Sequence, residues 1–151
     1  MPPDAETGRP AVTLKGRIAH ISHAVFRGYH EAAPVPLRQI VANLLKRLLP
    51  EPAARADALP SFARLTVTRQ ANRHMLHVLA YVPERRGPNI DMIEEPIELR
   101  DVCVSLRLDG ATPTRVVEAP SEQALPYDIS NGYVTTTIPV VNGYTMVVVD
   151  G

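Results

Sequence analysis

Four kinds of side chain in this sequence could do chemistry: histidines, an adjacent pair of glutamates, one cysteine and a few tyrosines. The five histidines include two H-x-x-H pairs, His20 with His23 and His74 with His77, a spacing that suggests metal ligation. Both pairs fall in stretches that read as strands, where residues three apart point to opposite faces and are separated by ~10 Å. Zinc needs each nitrogen at ~2.0–2.1 Å, so neither pair can chelate by itself. A metal-dependent hydrolase using His23, His74 or His77 would need three histidines and a carboxylate to converge through the tertiary fold. The simpler reading makes His77 a mostly buried ring with one hydrogen bond, and leaves His23, Tyr29 and His30 in the loop before a helix.

Glu94 and Glu95 are the only adjacent carboxylates with catalytic promise. Glycosidic hydrolysis uses two carboxyl groups facing each other at ~5–9.5 Å across a cleft. Neighbours on an extended segment point apart, so a solvated acidic loop paired with Arg85 and Arg86 is the expectation. Cys103 alternates with Val102 and Val104 in DVCVSLRL. It reads as a half-buried core thiol rather than a nucleophile. No Gly-rich phosphate loop and no G-x-S-x-G is present. Sugar-binding sandwiches stack their ligands on exposed rings. With no tryptophan and five tyrosines, and with Tyr81 and Tyr144 placed in the core, Tyr29, Tyr127 and Tyr133 remain as the available platform. The candidate ligand-binding residues are therefore His23, Tyr29, Tyr127 and Tyr133; no catalytic residue, metal site or cofactor is expected.

Sixteen basic and sixteen acidic residues cancel over 151 positions, without long blocks of like charge, which argues against a nucleic-acid partner. The apolar runs are far shorter than the ~20 residues that span a bilayer, and the N-terminus has no signal pattern. A single cysteine agrees with a reducing compartment. The expectation is a cytoplasmic protein without a membrane partner.

The elements that must position these residues can be read along the chain. Residues 1–10, rich in proline and acid, read as a disordered tail. Residues 11–52 read as a strand, or a strand pair turning at Lys15-Gly16, followed by a turn at Arg27–His30 and one clear helix. The strand Arg17–His23, RIAHISH, looks buried from both sides. In the helix Leu37, Ile40, Val41, Leu44, Leu45 and Leu48 recur at three- and four-residue steps. Pro36 suits its first turn, and Lys46 and Arg47 suit its C-terminal dipole.

Residues 53–60, alanine, proline and charge, read as a linker. From 61 to 151 short alternating strands take over, enough for one antiparallel β-sandwich. Arg73–Gly87, RHMLHVLAYVPERRG, is apolar on both faces and reads as a central strand that ends in a charged solvent loop. Val102, Val104, Leu106 and Leu108 face inward. Arg115–Ala119 reads as a short edge strand, Ala71-Asn72 and Asp109-Gly110 as turns, and Asn142-Gly143 as a type I′ hairpin turn.

The quoted motifs carry a resemblance. IAHISHAVFRGYHEAAPVPLRQIVANLLKRLLPEP, LHVLAYVPERRG, IEEPIELRDVCVSLRL and YVTTTIPVVNGYTMVVVDG, in that order, are similar to the C-terminal end of a family of bacterial glycoside hydrolases. These are described as beta-galactosidases or alpha-L-fucosidases with a beta-galactosidase trimerisation domain. The family has a catalytic (β/α)₈ barrel, a flavodoxin-like assembly domain and a terminal β-sandwich. The resemblance implies that residues 11–52 are the last strand-helix unit of the assembly domain and residues 61–151 the terminal sandwich. It implies a non-catalytic structural and assembly module, from a fragment, a truncated gene or a separate subunit. Its partners would be the remaining domains of such an enzyme or identical subunits, so a homo-oligomer is expected. An autonomous carbohydrate-binding sandwich and a small histidine-based metal hydrolase are the rival readings.

Overall fold

The structure, a computed structural model, describes residues 8–57, 59–108 and 110–151. They form two compact units, one running to Glu51 and the other spanning Pro52–Gly151. Of the expected tail only Gly8, Arg9 and Pro10 are described, all exposed; the rest, like Asp109 of the expected turn, lies outside the described residues.

In the first unit β1 (Val12–Lys15) pairs antiparallel with β2 (Ile18–Ile21), Lys15 opposite Ile18. Gly16, at φ 58°, makes the turn with Arg17. The expectation that RIAHISH is buried from both sides does not hold: β1 is its one partner strand, and Ile18 is 71% exposed. Among the described residues α2 covers part of one face, which half-buries Ala19 and Ile21, and the face of Ile18 is left to solvent.

The single strand-helix unit read from sequence holds two helices, α1 (Val25–Ala32) and α2 (Val35–Leu48). Arg27–His30, read as a turn, is helical. Gly28 gave the turn signal, yet its missing side chain serves packing: a Cβ there would sit 3.1 Å from Leu37 Cδ1 on α2. Ala33, at φ 46°, ends α1 by donating its N–H to the Tyr29 carbonyl at 2.7 Å. Pro34 is extended, and Pro36 lies in the first turn of α2, where its missing N–H costs nothing.

Among the described residues the second unit carries eleven strands: β3 (Ala54–Ala56), β4 (Arg64–Gln70), β5 (Arg73–Leu79), β6 (Glu84–Gly87), β7 (Ile90–Met92), β8 (Glu98–Arg107), β9 (Arg115–Ala119), β10 (Gln123–Ala124), β11 (Tyr127–Ser130), β12 (Tyr133–Asn142) and β13 (Tyr144–Asp150). A five-stranded sheet runs β10-β9-β13-β5-β4 and a four-stranded sheet β11-β12-β8-β3, every pairing antiparallel. The fold is mainly β, an antiparallel sandwich. Its inner faces share one core: Leu76, Val78, Val116, Val147 and Val149 from one sheet, Val102, Val104, Leu106, Val134, Ile138 and Val141 from the other.

The inward positions of β8 agree with the alternation read from sequence. Further along the ladder Asp101, at φ 53°, stands where Pro139 has no N–H to give, between the pairs Ile138–Val102 and Val140–Arg100. There the inward face steps by three: Leu99 and Val141, not Val140, continue the core beyond Val102 and Ile138.

Three further expectations are corrected. β5 is interior but covered on one face: Leu76 and Val78 are buried while Leu79, on the other face, is exposed. The charged segment after it is not a plain loop, since β6 and β7 pair as a small separate ribbon. Asn142-Gly143 is not a hairpin turn. It carries the chain from β12 in one sheet to β13 in the other, with Gly143 at φ 78° beneath the Tyr81 ring, 2.5 Å from where a Cβ would stand. The two-residue Asn-Gly hairpin lies at Asn131-Gly132, φ 51° and 77°, closing Ser130 onto Tyr133. Ala71-Asn72 turns β4 into β5 as read, Gln70 opposite Arg73. Within the stretch 53–60, β3 pairs with β8.

Candidate functional site

Two surfaces concentrate unusual chemistry, one in each unit. In the first, α1 and α2 splay around a cleft of about 360 Å³ lined by Val25, Phe26, Tyr29, Leu37, Val41 and Leu45, with Arg38 at its rim. The apolar residues come from the helical period of α2 and from i, i+1 and i+4 positions of α1. Among the described residues of this unit only Val25 is buried; Phe26 is 73% and Leu45 56% exposed. Such a cleft offers no acid, base or nucleophile. It offers dry surface to another apolar body.

The second surface is the outer face of the five-stranded sheet. The pairing of β4, β5 and β13 sets Thr68, His77 and Tyr144 on a diagonal across three strands. His77 Nε2 shares a hydrogen bond with Thr68 Oγ1 at 2.9 Å, and Nδ1 another with the Tyr144 hydroxyl at 2.8 Å. The ring has two partners rather than the one expected and is only half-buried. Both partners are hydroxyls, which donate or accept by rotating, so each ring nitrogen is matched whichever tautomer the ring adopts.

At the end of the same sheet Asp150 bridges the strands on either side of β13. It accepts from Arg73 Nε at 2.6 Å and from Arg115 Nε at 3.2 Å. The Arg73 hydrogen bond, helped by Arg115 and opposed by partial burial, holds the Asp150 carboxyl below the usual carboxylate range, and Asp150 in turn raises Arg73. This is an electrostatic clamp on the last strand.

The sequence candidates are scattered. His23 is exposed in the bend before α1, and Tyr29 lines the apolar cleft. Tyr127 is 38% exposed, its hydroxyl donating to the Pro113 carbonyl at 3.4 Å. Tyr133, expected to be available, is buried under the Arg55 guanidinium, 3.7 Å from its ring centre, and donates to the Pro52 carbonyl at 2.7 Å. Tyr144, expected in the core, is exposed. The signal was the parity of β13: Thr145, Val147 and Val149 face in, so Tyr144 and Met146 face out.

His74 and His77 occupy alternate faces of β5, as strand geometry requires, and among the described residues no three of His, Cys, Asp or Glu gather to hold a metal ion. Glu94 pairs with Arg86 at 2.7 Å and Asp91 with Arg85 at 2.8 Å, which makes this the solvated charged segment that was read. Burial, then the Asp57 charge, push the half-buried Cys103 thiol up, away from nucleophilic use. No helix of the described residues is long and apolar enough to cross a membrane.

Similarity to known proteins points to the glycoside hydrolases. Over 95% of its length it superposes on part of alpha-L-fucosidase isoenzyme 2 from Paenibacillus thiaminolyticus, with a TM-score of 0.88 and 31% identity. The chain resembles one region of a larger glycoside hydrolase. It spans 22% of that fucosidase's length. A cycloisomaltooligosaccharide glucanotransferase from Paenibacillus sp., solved with cycloisomaltoheptaose, is 18% identical over 64% of this chain and 16% of its own, with a TM-score of 0.49, too slight a likeness to carry an argument. No family model and no curated protein matches the chain.

Proposed function

We propose that this chain is a non-catalytic structural and assembly module of a glycoside hydrolase of the beta-galactosidase or alpha-L-fucosidase kind. The observation that carries the reading is the match of nearly the whole chain to about a fifth of a fucosidase. The resemblance to enzymes with a trimerisation domain supplies the finer role: the first unit as the last piece of an assembly domain, the second as a terminal sandwich. The open cleft between α1 and α2 supports it, because a helix pair with one buried side chain is short of core. Partners are the remaining domains of such an enzyme or identical subunits, in the cytoplasm. Hydrolysis through two carboxylates belongs to those other domains.

Sedimentation of the purified chain, with nitrophenyl galactoside and fucoside present, tests this. A dimer or trimer without turnover is the expected result, reverting toward monomer when Leu45→Glu places a charge in the cleft. A monomer that hydrolyses either glycoside would overturn the reading.

A further inference from the structure

The outer faces of the two sheets differ in kind. On the four-stranded sheet the outward side chains of β8 and β12 include Cys103, Ser105, Thr135 and Thr137, with Ser105 and Thr135 satisfying each other at 2.9 Å, and the one outward ring, Tyr133, is covered by Arg55. That is an ordinary polar exterior. On the five-stranded sheet the outward positions of β5 and β13 are Arg73, Met75, His77 and Leu79 and, opposite them, Asp150, Val148, Met146 and Tyr144, so the charged pair lies at one end and the two rings toward the other. Tyr144 is 46% exposed. Its ring and that of His77 are inclined by only 24°, with centroids 6.1 Å apart. Since the Tyr144 hydroxyl itself touches Nδ1 at 2.8 Å, the rings meet at their edges rather than face on face. Two rings and the Thr68 hydroxyl thus form one continuous strip.

We propose that this strip is a saccharide-binding platform, with Tyr144 and His77 stacking on a pyranose and the Tyr144 and Thr68 hydroxyls meeting its hydroxyl groups. Each hydroxyl spends one interaction on His77 and keeps capacity to accept or donate another. The ligand that fits such a strip is flat on its C–H face, hydroxylated at its rim and uncharged. A purely apolar partner would leave the hydroxyls without their second interaction. The platform goes beyond the assembly role and stands or falls separately from the oligomeric state.

The test is proton NMR of the full chain, following the His77 ring signals, assigned by their loss in His77→Gln, during titration with methyl α-L-fucoside and methyl β-D-galactoside. A saturable shift with a Kd on the order of 1–10 mM is expected. Tyr144→Ala should weaken it at least tenfold and Tyr144→Phe only a few-fold, while Tyr127→Phe leaves it unchanged. No saturable shift, an unchanged shift in Tyr144→Ala, or an equal response to cyclohexanol, which has an apolar face but one hydroxyl, would each overturn the proposal.

Discussion

The two units use similar apolar side chains to opposite ends. In the sandwich, Leu76, Val78, Ile138, Val141 and Val147 are sealed between two sheets. In the hairpin-helix unit, Ile18, Phe26, Val35, Leu45 and Leu49 stay in contact with water. The difference teaches that amphipathic pattern creates a face but not a core. A core needs layers broad enough to seal it: the second unit has two sheets, while the first, among its described residues, buries only Val25.

That contrast can be broken most sharply inside the sandwich. Ile138→Ala, at a position with no exposure, should cost about 2–5 kcal/mol in urea unfolding. Leu45→Ala on α2 should change stability by less than about 0.5 kcal/mol while weakening self-association in sedimentation. Equal losses at both positions would mean that the first unit has a core of its own.

Glycines sharpen it further. Gly143→Ala meets the Tyr81 ring at 2.5 Å in a left-handed backbone, so a loss of roughly 2 kcal/mol or more is expected in the same unfolding experiment. Gly28→Ala meets one side-chain methyl at 3.1 Å in a helix, where about 1 kcal/mol of helix propensity offsets the crowding. Its helicity by circular dichroism should hold or rise.

Asp150 gives a pH signature confined to the sandwich. Its carboxyl is held below its unfolded value by Arg73 and Arg115, so the clamp contributes fully above the unfolded pKa of about 3.9 and fades as pH falls through the lowered folded value. Urea midpoints of the wild type and Asp150→Asn should therefore differ at pH 7 and converge in acid. A gap that widens in acid would reverse the sign of the argument. The smallest effect is expected in the first unit, where Arg27→Ala breaks the exposed Arg27–Glu31 pair of 3.4 Å and should cost no more than about 0.5 kcal/mol of α1 helicity.

Most of the sandwich was legible because alternation with a period of two is local: the inward valines of β8 and the Ala71-Asn72 turn follow from neighbours in sequence. What could not be read depended on partners far along the chain. Asn131-Gly132 and Asn142-Gly143 are the same dipeptide, yet only the first closes a hairpin, because β12 finds β8 in one sheet while β13 finds β5 and β9 in the other. Asn142 has no left-handed φ and Asn131 does. Of the site, Tyr133 and Tyr144 were exchanged. The ring that opens β12 is capped by Arg55 from a segment read as linker.

By itself the sequence determined the mainly β class, the α2 helix with its apolar stripe, the inward residues of β8 and the paired charges after β5, since each arises from spacing or charge within about ten residues. Only the tertiary structure decided which sheet each strand joins, where the inward face steps at Asp101 and Pro139, that α1 is a helix set against Leu37, and which tyrosine meets solvent. Those outcomes turn on which surfaces find a covering layer, a property of the packed chain rather than of any stretch within it.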